Sequence, residues 1–261
     1  MNFGEFWTNG KHRVMWGDAT NPAHIKYLLG THLVNLVVTS PPYPMFEKWN
    51  WEGNFQSQHL YLNRVWDCLF DSVIEGGIVC INIGDALRKI NDNFQLWENH
   101  SIILNNFRNL GFNVLPYILW KKPTNKPNSF LGSGMLPTNA YVTLDCEFIL
   151  LFRKGNIRKF LSKDKNRYAS AYTFEERNKW FSQIWAIAGK KDYEKMSPFP
   201  NEIPYRLIRM YSVINDIIFD PFVGSGTTLV EAEKTGRRCF VIDIKKECCE
   251  KTINSLLEVN K

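Results

Sequence analysis

Two stretches carry residues whose types and spacing can do chemistry: Thr39-Ser40-Pro41-Pro42-Tyr43, and Asp220 followed by Pro221, Phe222, Val223, Gly224, Ser225, Gly226, Thr227 and Thr228. In the first, two prolines fix φ and remove backbone donors, so a rigid turn holds the Ser40 hydroxyl beside backbone carbonyls, with the Tyr43 ring close behind. Acceptors and a ring in that order suit a planar, amine-bearing ring whose exocyclic nitrogen needs its hydrogens held. In the second, Gly224 and Gly226 permit a tight turn and close approach of a ligand at the amino end of the next helix. Asp243 stands 17 residues past Gly226, near the spacing at which a carboxylate meets ribose hydroxyls.

A dinucleotide site would want a third glycine where Thr228 and Leu229 stand, and Asp220 facing the ligand would repel a pyrophosphate. A carboxylate there suits the cationic amino-acid end of S-adenosylmethionine, which carries no phosphate. A nicotinamide oxidoreductase is therefore disfavoured.

Strands must deliver these turns. Leu33 to Val38 and Ile217 to Phe219 are apolar, β-branched runs that stop at the two motifs, as buried parallel strands do, and open α/β sheets bind ligands at such carboxyl ends. Further strands are predicted at His12 to Trp16, Ile78 to Ile83, Val114 to Trp120, Glu147 to Phe152 and Cys239 to Ile244. Helices are predicted from Pro22 to Leu29, through Leu62 to Val73 with a stop at Gly76-Gly77, from Leu96 to Leu110, from Glu202 to Tyr211, from Leu229 to Gly236 and from Glu247 to Val259. The alternation argues for an α/β fold with a mostly parallel sheet and helices on both faces. The aromatic-rich stretch from Pro44 to Phe55 and the long Pro123 to Asp145 connection are expected beside the site.

At 261 residues with 44% hydrophobic and 22% charged residues, the chain fits one soluble domain with a small insertion. Apolar runs such as Phe148 to Phe152 are too short to cross a bilayer and the first ten residues lack a secretory pattern, so a cytoplasmic protein with no membrane partner is expected. The six cysteines show no C-x-x-C spacing, so neither a metal site nor a disulfide framework is expected, and Cys80, Cys146 and Cys239 read as core.

Charge is uneven. From Arg153 to Lys195 twelve Lys and Arg face five Asp and Glu, a balance of +7 against +6 for the whole chain. Arg158, Lys159, Lys163, Lys165, Arg167, Arg177 and Lys179 are interleaved with Tyr168, Tyr172, Phe174, Trp180, Phe181 and Trp185. Cations bind phosphates and rings stack on bases, so residues 156–195 are read as a DNA-recognition insertion, aided by Lys121 and Lys122.

Taken together, these residues closely resemble the DNA amino-methyltransferases, which modify an exocyclic nitrogen, over most of the chain. Phe219 to Thr228 resembles that family's cofactor turn and Thr39 to Tyr43 its catalytic motif. Gly76 to Asp85, Trp120 to Pro123 and Glu147 to Gly155 resemble its later sheet segments. Ser197-Pro198-Phe199-Pro200 with Arg206-Leu207-Ile208 resembles the helical segment before the cofactor turn, where the usual His-Pro start appears as Lys195-Met196. The catalytic motif precedes the cofactor motif, which is the circularly permuted, beta-class order.

The resemblance implies a Rossmann-like, S-adenosylmethionine-dependent fold. Residues 1–155 would form its catalytic half, 156–195 the insertion and 196–261 the cofactor half. Ser40, Pro41, Pro42 and Tyr43 are the implied catalytic residues, with Ser40 and the Pro41 carbonyl holding the amine hydrogens and Tyr43 stacking on a flipped base. Asp220, Phe222, Gly224, Ser225, Gly226, Thr227, Thr228, Asp243, Pro198, Phe199 and Pro200 are the implied cofactor contacts. The permuted order further implies that Asp18 lies next to the Asp243 strand and reaches the adenine. Thr/Ser-Pro-Pro-Tyr goes mainly with cytosine N4 and Asp-Pro-Pro-Tyr with adenine N6, so Ser40 implies cytosine N4 in duplex DNA, adenine N6 being the alternative. The modification half of a restriction-modification system, with a separate cognate endonuclease, is the implied setting. A non-catalytic, cofactor-binding DNA-recognition protein and an RNA methyltransferase are the other readings.

Overall fold

The computed structural model describes residues 1–45, 53–90, 93–123, 142–189 and 200–259. A nine-stranded sheet runs β1 (Phe6–Thr8), β2 (Arg13–Trp16), β11 (Arg238–Asp243), β10 (Ile217–Asp220), β3 (Val34–Thr39), β4 (Val73–Ile83), β8 (Cys146–Lys154), β7 (Phe112–Lys121) and β9 (Ile184–Ala186). The central strands β2, β11, β10, β3 and β4 pair in parallel. β8 is antiparallel to both its neighbours, and β1 to β2.

Alternate residues of each central strand enter opposite cores, as the pleat requires. Val37, Phe219, Phe240 and Ile242 pack on one face with Leu28 of α1 (Pro22–Leu29), Leu62 and Trp66 of α2 (Phe55–Ser72) and Phe107 of α3 (Asn99–Asn109). Leu36, Val38, Ile218 and Val241 pack on the other with Leu207 of α6 (Glu202–Tyr211), Leu229 of α7 (Thr227–Lys234) and Leu256 of α8 (Lys246–Val259). Burial on both faces explains why these strands read as continuous apolar runs.

Three features depart from the sequence reading. The helix expected to reach Gly76-Gly77 ends at Ser72, and both glycines lie within β4. Gly76 has φ +76°, and a Cβ there would meet the Arg158 backbone nitrogen at 2.4 Å, so the glycine serves a crossing of chain rather than a helix stop. The helix expected from Leu96 begins at Asn99, because β5 (Ala86–Ile90) and β6 (Asn93–Trp97) pair as an antiparallel ribbon. Cys146 is half-buried at the start of β8, where its thiol approaches Asp145, and is not core.

Candidate active site

The carboxyl edge of the sheet gathers the ends of β2, β3, β4, β7, β10 and β11 with the start of antiparallel β8. Asp220 joins its two halves. One carboxylate oxygen accepts the Thr39 hydroxyl at 2.6 Å and the Phe222 N–H at 3.0 Å, and the other accepts the Thr228 hydroxyl at 2.7 Å. At 1% exposure, Asp220 ties the end of β3 to the glycine turn and α7. The expectation that it faces the ligand meets a carboxylate that is almost wholly buried and turned toward three donors of the protein.

Burial pushes the Asp220 carboxyl up from 3.8 to about 6. A raised acid pKa means that the folded chain holds the proton more tightly than the unfolded one. This contribution to stability is full below pH 3.8 and is lost as pH rises through about 6. Asp220→Asn can keep the three hydrogen bonds. Between roughly pH 4 and 7 wild type should therefore lose on the order of 3 kcal/mol relative to this variant in thermal unfolding. A pH-independent gap between the two proteins would refute the assignment.

In the turn after β10, Gly224 has φ +52° and a Cβ added to it would meet nothing nearer than the Phe222 carbonyl at 3.9 Å. The backbone there is open to close ligand approach. Gly226, at φ +81°, differs: a Cβ would meet Thr252 of α8, its hydroxyl at 2.7 Å and its Cα at 3.0 Å. Its role is helix packing, which corrects the expectation of ligand approach at both glycines. Asp243 accepts the Gly224 N–H and the Lys245 N–H, each at 2.9 Å, and burial pushes its carboxyl up. The Cys248 thiol also bonds to this carboxylate, which leaves it acceptor capacity for one further donor.

Gly17 donates to the Asp243 carbonyl at 2.9 Å, and β2 pairs with β11, so half-buried Asp18 stands beside Asp243. Asp18 accepts the Thr20 N–H and hydroxyl at 2.8 Å. The Tyr61 phenol of α2 is pushed up by burial and then by the nearby charges of Asp18 and Asp243. Phe222 packs edge-on to Trp66 with centroids 6.0 Å apart, and Ser225 and Thr227 share a hydroxyl contact at 2.9 Å. Thr227 and Thr228 are buried. Pro200 is buried before α6, whereas Pro198 and Phe199 lie outside the described residues.

On the other side of Asp220, half-buried Ser40 and buried Pro41 follow β3 directly. The Ser40 hydroxyl lies 3.1 Å from the Tyr43 hydroxyl, which donates to Glu147 Oε2 at 2.8 Å. Asn82 Nδ2 donates to the Tyr43 oxygen at 2.6 Å and to Glu147 Oε2 at 2.8 Å, and the other Glu147 oxygen pairs with Lys122. Tyr43 is 9% exposed, with Gly84 so close that a Cβ would lie 3.1 Å from the ring. Asn99, at the start of α3, donates to the carbonyls of Pro44 and Gly84 at 3.2 and 2.9 Å and so fixes both turns. The sequence does not single out Asn82, Gly84, Glu147, Asn99 or Tyr61 as site residues. A polar Asn82 inside an apolar strand and a carboxylate opening β8 are the signals that mark two of them.

The expected DNA contacts divide. Lys121 and Lys122 reach this edge, Lys122 being spent on Glu147. Arg158 pairs with Asp216 at 2.5 and 2.9 Å, just before β10, and Ser170 accepts the Ile214 N–H; both lie at the amino edge. Arg158 and Arg167 line a cavity of about 750 Å³ there with Gly76, Phe160 and Arg209. The structure therefore does not bring Arg158, Lys159 and Lys163, or Lys165 and Arg167 of α4 (Lys165–Ala169), to the carboxyl edge. Arg177 and Lys179 lie on exposed faces of α5 (Phe174–Trp180), whose Trp180 packs on Tyr205 of α6. Trp180 and Trp185 are core residues at 3% and 1% exposure, which corrects their reading as base-stacking rings. Of the two loops expected beside the site, residues 46–52 and 124–141 lie outside the described residues. Among the described residues no group of His, Cys, Asp and Glu is placed to hold a metal ion, and no helix is long and apolar enough to cross a membrane.

Residues 34–254 match the profile of a family described as DNA methylase. The type II methyltransferase M.MjaI of Methanocaldococcus jannaschii is 49% identical, spanning 90% of this chain and 88% of that protein. M.MthZI of Methanothermobacter thermautotrophicus, also a type II methyltransferase, is 38% identical over 95% of this chain and 78% of its own. A Thermus thermophilus protein described as a putative DNA modification methylase, solved with S-adenosyl-L-methionine, superposes with a TM-score of 0.77 at 29% identity, covering 94% of this chain and 95% of that one.

Proposed function

The chain belongs to the DNA methylase family, and on that premise we propose that it methylates the exocyclic N4 of cytosine in duplex DNA as the modification enzyme of a restriction-modification system. S-adenosylmethionine is the methyl donor; when bound it supplies an electrophilic sulfonium methyl. The open backbone at Gly224 and the acidic pair Asp18 and Asp243 fit such a ligand, the carboxylates accepting from sugar and ring donors.

The observation that carries the base assignment is the side chain at position 40. A hydroxyl, not a carboxylate, follows β3 and reaches the Tyr43 hydroxyl at 3.1 Å. Ser40 and the Pro41 carbonyl accept the two amine hydrogens, which steers the nitrogen lone pair out of conjugation. A base inside a duplex cannot reach this edge, so flipping is required, at a cost of a few kcal/mol. The Type II naming of M.MjaI supports the restriction-modification setting.

DNA approaches the carboxyl edge, with Lys121 as a phosphate contact. Gly76, where the basic segment crosses, and Ile83, at the catalytic edge, are seven residues apart along β4, roughly 23 Å of strand. Replacing Lys163, Lys165 and Arg167 by alanine should thus leave duplex affinity and its salt dependence unchanged. A salt slope reduced by about 3 would place all three on phosphates and restore their reading as DNA contacts. The activity itself is tested by transfer of labelled methyl from S-adenosylmethionine to unmethylated duplex DNA, with structured RNA in parallel. Label on the duplex alone is expected; label on RNA alone would move the substrate class.

A further inference from the structure

We propose that Glu147 ends a proton path from the target amine through Ser40 and Tyr43, acting as a positioning residue for the reaction. This inference rests on the methyltransferase reading above. A serine hydroxyl can accept a proton only if it hands its own on, and the structure supplies the next two stations. Ser40 Oγ lies 3.1 Å from the Tyr43 oxygen, and the Tyr43 hydroxyl donates to Glu147 Oε2 at 2.8 Å.

The surrounding groups favour that direction. Lys122 pairs with the other Glu147 oxygen and so orients the carboxylate, leaving Oε2 toward Tyr43. Asn82 Nδ2 contacts both the Tyr43 oxygen and Glu147 Oε2, locking the two at fixed separation in a buried place. Asn82 is 3% exposed, and Glu147 retains only 14% of its side-chain exposure, so water cannot readily replace the path. Burial and the Glu147 charge hold the Tyr43 phenol well above its ordinary value, so it stays a neutral hydroxyl that relays a proton without becoming a phenolate.

The balance is as follows. Once the amine nitrogen has used its lone pair to form the new N–C bond, it is cationic and one N–H bond must break, its electron pair staying on nitrogen. That proton goes to Ser40 Oγ as the serine's own proton moves to the Tyr43 oxygen and the tyrosine's moves to Glu147 Oε2. Ser40 and Tyr43 end neutral, Glu147 ends protonated, and the base ends as a neutral methylamine. No oxidant or further reactant is needed.

Glu147→Gln keeps an acceptor for the Tyr43 hydroxyl but cannot take the proton. Three quantities test the proposal in full-length protein: single-turnover methyl transfer, cofactor affinity by calorimetry, and base flipping reported by 2-aminopurine fluorescence at the target position. The expected result is a rate about 100-fold or more below wild type, with affinity and flipping within twofold. Tyr43→Phe should lose a similar factor, and the double variant little more, since both cut one path. A Glu147→Gln protein that transfers methyl at the wild-type rate overturns the relay. So does one whose affinity and flipping fall with the rate, because that makes Glu147 structural. If wild type itself methylates neither duplex nor structured RNA, the methyltransferase reading fails first and takes the relay with it.

Discussion

Ser40→Ala should lower methyl transfer by about 100- to 10,000-fold while leaving S-adenosylmethionine affinity within about twofold. The hydroxyl is half-buried at the end of β3, and its partners are Tyr43 and Asn82, at 3.1 and 3.5 Å. Neither contact reaches the glycine turn, which is held instead by Asp220 and Asp243. Removing one half-exposed hydroxyl costs about 1 kcal/mol of stability, too little to unfold the chain. The amine, by contrast, loses one of its two acceptors and its outlet for a proton. Calorimetry and single-turnover assays on one preparation separate the two effects. Unchanged turnover would remove Ser40 from the mechanism.

Gly226→Val should destabilise the fold itself. At φ +81° a β-branched residue is strained by about 1 to 2 kcal/mol, and its Cβ would meet the Thr252 Cα at 3.0 Å, backbone that cannot swing aside. Overpacking of that kind costs a further amount of about 1 to 3 kcal/mol. A total on the order of 3 kcal/mol should lower the melting temperature by about 10 °C for a domain of this size. Gly224→Ala makes the contrast, since its Cβ enters open space near the Phe222 carbonyl, 3.9 Å away. It should cost about 1 kcal/mol of stability through its positive φ but weaken cofactor binding tenfold or more by occupying the approach to the backbone. A Gly226→Val protein with normal melting would show that α8 yields at Thr252, and normal cofactor affinity in Gly224→Ala would move the ligand away from the turn.

The parts of this site that local pattern specifies were legible. β3, β10 and β11 are apolar runs, the first two stopping at the Pro- and Gly-containing motifs, and the turns that follow them stand at the carboxyl edge. The neighbourhood of Asp18 and Asp243 followed from motif order, and the pairing of β2 with β11 brings them together. What spacing does not encode is which distant groups meet. Glu147 comes to Tyr43 only because β8 runs antiparallel beside β4, and Asn99 comes to Pro44 only because an unforeseen β5 and β6 ribbon sets where α3 begins. Composition also does not say which edge of a sheet a basic segment covers. The ion pair of Arg158 with Asp216 holds the first part of that segment at the amino edge, β9 carries a later part along β7 toward Lys121, and Trp180 and Trp185 are drawn into the core. Even within a recognisable motif, similar letters serve different ends: Gly224 faces open space and Gly226 faces a helix.

The most direct measurement is digestion of unmethylated duplex DNA to nucleosides after incubation with the protein and methyl-labelled S-adenosylmethionine, followed by mass spectrometry. A hydroxyl at position 40 in a DNA methylase site predicts N4-methylcytosine. N6-methyladenine would contradict the base assignment while leaving the edge, the cofactor turn and the proton path in place. Absence of any methylated nucleoside, with cofactor bound, would contradict duplex DNA as the substrate.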